Sequence, residues 1–86
     1  MIIVKEAVKI ARDYLSDLLS ESVIGGKIVL ILEEVELSDE QPVRWLITFS
    51  YKASFDNNPI MQNYFKRVEV LADDGEVRAV KIRSFD

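Results

Sequence analysis

The chain contains no cysteine and no histidine. Without cysteine it has no disulfide framework of the kind small secreted domains rely on, and without either residue the usual zinc, copper and iron ligand sets cannot be assembled. The missing histidine also narrows nucleophilic catalysis, because a serine would have to take lysine or a carboxylate as its base. Three glycines, Gly25, Gly26 and Gly75, make no phosphate-cradling loop. Long apolar runs are missing too: the longest, Ile28 to Leu32, falls far short of the roughly 20 residues that cross a bilayer. Met1-Ile2-Ile3-Val4 meets Lys5 and Glu6 at once, without the basic and apolar regions of a signal peptide. A cytoplasmic protein with no membrane segment and no cofactor is expected. Positive charge is in deficit, 11 Lys and Arg against 15 Asp and Glu, so the net charge of −4 sets a repulsive field against nucleic acid.

What is present is the composition of an ordinary globular domain, 49% apolar and 30% charged, over a length that supports one core; residues 1–86 are expected to form a single domain. The stretch that organises it is Arg44 to Lys52. Side chains alternate along a strand, so Trp45, Ile47, Phe49 and Tyr51 share one face while Arg44, Thr48, Ser50 and Lys52 point the other way. So one-sided a strand needs a covering layer. Val4, Ala7, Val8, Ala11, Tyr14, Leu15, Leu18 and Leu19 recur at helical spacing and supply one. Residues 20–27, with Gly25 and Gly26, are expected to turn the chain.

Lys27 to Leu37 is extended by composition, but its alternation changes midway. Either the strand starts buried on both faces and then emerges, or a bulge near Glu33 and Glu34 shifts the phase and lets Leu30 and Leu32 join Val35 inside; the bulge is favoured. Ser38 to Val43 reads as a loop, and same-parity pairing then sets Leu37 by Trp45 and Val35 by Ile47, with Glu34 and Glu36 on a polar outer face. Ala53 to Asn63 lacks periodicity and carries the turn-forming Asp56-Asn57-Asn58-Pro59, so it reads as a loop. Tyr64 to Leu71 and Val77 to Arg83 are the last strands, with Val68, Val70, Val80 and Ile82 inward. Asp73-Asp74-Gly75 between them matches a three-residue hairpin with a G1 bulge. The fold class expected is α+β, an N-terminal helix packed across a four-stranded antiparallel meander in the order α-β-β-β-β.

The helix Glu6 to Arg12 and the closing unit Val68 to Val77, with its Asp-x-Gly-x-Val turn, resemble the small PepSY-type domains and, more broadly, cystatin-like folds. The resemblance covers about half of the chain and implies a non-catalytic domain that touches peptides or proteins, with protease inhibition or regulation among its roles. It brings no catalytic motif, and no functional residue is carried over from it.

Three groups of residues are candidates for function. Glu33, Glu34, Glu36, Asp39 and Glu40 form the densest acidic run, which a hard cation or acid–base work could use. Alternation, however, throws Glu33 to the opposite face from Glu34 and Glu36, and the spacing is not that of an EF-hand, so a solvated face opposite Arg44, Arg67, Lys81 or Arg83 is the stronger reading. Trp45, Phe49, Tyr51 and Tyr14 could line a small-ligand pocket, but a domain this small needs them to fill its core. Phe55, Ile60 and Met61 either contact a partner or fold back to plug the open end between helix and sheet. Together these readings exclude an enzyme. They favour a protein-interaction module, of the inhibitor or immunity type, that meets an unknown protein partner with Phe55, Ile60, Met61, Thr48, Ser50 and Lys52. The alternatives are a structural domain that forms a homodimer through an edge strand, against a monomer, and a small-ligand-binding cystatin-like domain.

Overall fold

A computed structural model describes residues 1–20, 29–55 and 58–82, without the side chains of 53–62. The glycine turn expected over residues 20–27 and the position of Arg83 lie almost wholly outside the described residues. The fold is α+β: helix α1 (Val4–Ser20) is followed by strands β1 (Ile31–Ser38), β2 (Arg44–Phe55), β3 (Asn58–Leu71) and β4 (Val77–Ile82). The strands form one antiparallel sheet in the order β1-β2-β3-β4, the meander that the sequence pattern predicts.

α1 opens with the Ala7 amide donating to the Ile3 carbonyl at 3.0 Å and has Glu6 in its first turn, where a negative charge complements the helix dipole. Ala7, Ala11, Leu15 and Leu19 are its buried stripe. Two alanines in that stripe bring the helix backbone close to the sheet. The stripe is narrower than the helical spacing predicts: Val4, Tyr14 and Leu18 are all about half exposed. Tyr14 therefore does not line the interior, as the pocket reading required.

Beneath the helix lie Ile47, Phe49 and Tyr51 of β2 and Val68 and Val70 of β3, all essentially removed from water. These are the odd positions of β2 and their cross-strand partners, Ile47 with Val68 and Trp45 with Val70. The Arg12 guanidinium lies over the Phe49 ring, 5.1 Å from its centroid, and donates to the Leu30 carbonyl at 2.9 Å, closing the side of the core nearest β1. Trp45 is half-buried at the other end, its indole N–H donating to the Ile2 carbonyl at 3.2 Å.

The β1–β2 register is the one expected, Leu37 opposite Trp45, Val35 opposite Ile47 and Glu34 opposite Thr48, and it shifts between Leu32 and Glu34, the position of the expected bulge. Leu30 is buried by that shift, while Leu32 shares its face but stays 42% exposed. The β3–β4 connection is longer than the three-residue hairpin predicted. The Leu71 amide donates to Glu76 and the Gly75 amide to the Leu71 carbonyl, leaving Ala72 to Gly75 as the loop. Gly75 has φ +81°, the left-handed conformation in which a Cβ is strained, and a Cβ there would meet Ile10 Cδ1 at 2.9 Å. The turn thus rests directly on the helix. Arg78 is the bulged residue above it, since Val70 pairs with Val77 but Glu69 with Ala79. Val80 packs at the edge of the core as expected, whereas Ile82 is 81% exposed.

Candidate interaction surface

The helix approaches β2, β3 and β4 and does not reach β1. Two consequences follow: the sheet has a second, open face with no described element against it, and the inner side of β1 is left uncovered beside the helix.

The open face differs from the solvated surface expected. Thr48 is fully buried and Ser50 nearly so, while Lys52 is exposed. No described element lies above them, and Thr48 is flanked across the sheet by Glu34 on β1 and Arg67 on β3. Glu69, near the C-terminal end of β3, keeps only 7% of its side chain exposed and sits between two cations, Lys81 Nζ at 3.1 Å and Arg44 Nη1 at 3.7 Å. Thr48 Oγ1, Arg44 Nε and Arg67 Nε are shielded from water and have no hydrogen-bond partner among the described residues.

Glu33 is on this face as well. Its Oε2 accepts a 2.6 Å hydrogen bond from the Ser50 hydroxyl, and Ser50 points away from the core that holds Phe49 and Tyr51. Strict alternation put Glu33 opposite Glu34; the bulge sets aside that alternation and gathers Glu33, Glu34 and Glu36 on one side. Even so, among the described residues no group of three or more carboxylates converges closely enough to hold a metal ion.

The stretch Ala53 to Asn63, expected to be a loop, is instead the end of a long hairpin, with Lys52 opposite Asn63, Ala53 opposite Gln62 and, after a register shift, Phe55 opposite Asn58. Of the turn-forming stretch Asp56 to Pro59, Asp56 and Asn57 lie outside the described residues. Phe55, Ile60 and Met61 are placed on paired strands near the hairpin tip, and their side chains are outside the described residues. Among the described residues β1 pairs as far as Ser50 on β2 and β4 as far as Lys66 on β3, so the ribbon from Tyr51 and Tyr64 to its tip extends past the described ends of both neighbouring strands. Tyr51 and Tyr64 stack at its base with centroids 5.6 Å apart, and burial, with Tyr64 beside it, pushes the Tyr51 phenol above its usual range.

The interior under the helix is filled by Phe49, Ile47, Leu15 and the valines of β3. A cavity of about 280 Å³ opens elsewhere, at the end of the sheet where Met1, Pro42, Val43, Leu71 and Ala72 meet beside Asp73 and Asp74. No described helix is long and apolar enough to cross a membrane. No family model, curated protein or solved structure matches the chain.

Proposed function

We propose that the protein is a non-catalytic interaction module, of the kind an inhibitor or an immunity-type antidote would be, that presents the β2–β3 ribbon and the adjoining open face to a protein partner. The observation that carries this reading is the projection of the ribbon. A two-stranded ribbon is marginal in water by itself, and this one extends past the described ends of both neighbouring strands with Phe55, Ile60 and Met61 near its tip. Aromatic residues and methionine are the types enriched at interface cores. The shielded but unpartnered Thr48 Oγ1, Arg44 Nε and Arg67 Nε add support, since polar atoms withdrawn from water are ordinarily bonded.

The test is affinity capture with the purified protein, followed by reconstitution with the captured partner and sedimentation. Replacing Phe55, Ile60 and Met61 together with serine is expected to abolish the complex while leaving the melting temperature nearly unchanged. A triple variant that still forms the complex, or one that melts far below the parent, defeats the reading; in the second case those residues belong to the core.

A further inference from the structure

We infer that the outer edge of β1 takes up an extended segment of a partner chain in which aliphatic residues alternate with lysine or arginine. The inference rests on the interaction-module reading above and assigns that module a second, chemically defined contact.

Among the described residues β1 is an edge strand, so alternate N–H and C=O groups along its outer side have no described strand to pair with. From Glu34 to Ser38 its pairing to β2 is regular, which leaves a straight row of about five residues open to another strand beyond the bulge. The two sides of that row are chemically opposite. Toward the helix it presents Leu32, Val35 and Leu37, with Leu32 42% and Leu37 45% exposed because the helix stops short of β1. Toward the open face it presents Glu33, Glu34 and Glu36, of which Glu33 and Glu36 are exposed. A strand added here continues both surfaces: its residues on the helix side meet an apolar shelf, and those on the open side meet carboxylates. Cross-strand neighbours of opposite charge attract and like charges repel, so the strand that fits alternates aliphatic with basic residues.

The same arithmetic disfavours a second copy of this chain. Two β1 strands paired about a two-fold axis centred on Val35 would set Glu34 opposite Glu36, and centred on Glu36 would set that residue opposite itself. The glutamates therefore act against self-pairing while selecting a basic strand.

The experiment uses the full chain and a fluorescein-labelled peptide of about seven residues alternating lysine and valine, with fluorescence anisotropy as the readout. Saturable binding that weakens with added salt is expected, with none for a glutamate–valine peptide. Glu36→Lys should weaken the lysine peptide roughly tenfold, and Leu37→Ser should weaken it as well. N-methylation of alternate peptide amides should abolish binding in one phase and spare it in the other, because only one set of amides faces β1. Equal binding of a peptide with its lysines clustered, indifference to Glu36→Lys, equal loss in both N-methyl phases, or absence of binding each overturns the inference. So does a dimer of the parent chain that Glu36→Lys disrupts, which would make a second copy the occupant. The Phe55, Ile60 and Met61 triple serine variant should bind the peptide as the parent does, so that failure at the β1 edge and failure at the ribbon are read separately.

Discussion

The two faces of the sheet bury their central residues by different means. On the covered face a helix lies over Ile47, Phe49, Val68 and Val70, and the buried atoms are almost all carbon. On the open face Thr48, Ser50 and Glu69 are buried too, but there Ser50 is bonded to Glu33 and Glu69 is paired with Arg44 and Lys81, while Thr48 Oγ1 has no partner among the described residues. Apolar burial is non-directional and gains with area, whereas polar burial is favourable only to the extent that each withdrawn atom finds a partner. The covered face should accordingly carry most of the stability and the open face most of the specificity.

The sharpest way to break that division is Phe49→Ala. It removes the largest fully buried side chain, together with the platform under Arg12, and is expected to destabilise by about 3–5 kcal/mol. Urea titration followed by tryptophan fluorescence reads it, and a loss comparable to that of an open-face variant would void the comparison. Next is Glu69→Ala. Removing one partner of a deeply buried ion pair usually costs more, but Arg44 and Lys81 keep 25% and 64% of their side chains exposed and can turn to water. The expected loss is therefore about 1–2 kcal/mol, measured in the same titration.

The smallest effect has the opposite sign. Thr48 Oγ1 is buried without a partner, so Thr48→Val keeps the shape and removes an unsatisfied hydroxyl; a gain of about 1 kcal/mol is expected as an upward shift in the urea midpoint. A loss there would mean that the hydroxyl has a bond in solution. If the open face meets a partner, the same variant should weaken the complex while stabilising the free protein.

Local pattern was enough for much of this architecture. The helical recurrence of Ala7, Ala11, Leu15 and Leu19, the odd face of β2, the pairing of Val35 with Ile47 and the bulge at Glu33 all follow from periodicities of 3.6 and 2, because those periods record which side chains must leave water together. Less was legible at the candidate surface. Ala53 to Asn63 reads as a loop because its residues do not alternate, yet its backbone pairs as a hairpin, since ladder hydrogen bonds join main-chain groups and do not require side chains of alternating polarity.

What the sequence determined by itself was the order of the elements, the register of β1 on β2 and the division of β2 into two sides. Only the tertiary structure decided how far the helix reaches across the sheet. It stops at β2, so Leu32 and Leu37, apolar by pattern and inward by register, stay half in water, while Thr48, polar and outward, is fully buried. Periodicity specifies the direction in which a side chain points; its exposure depends on what other parts of the chain come to lie over it, and that is set by packing between elements distant in sequence.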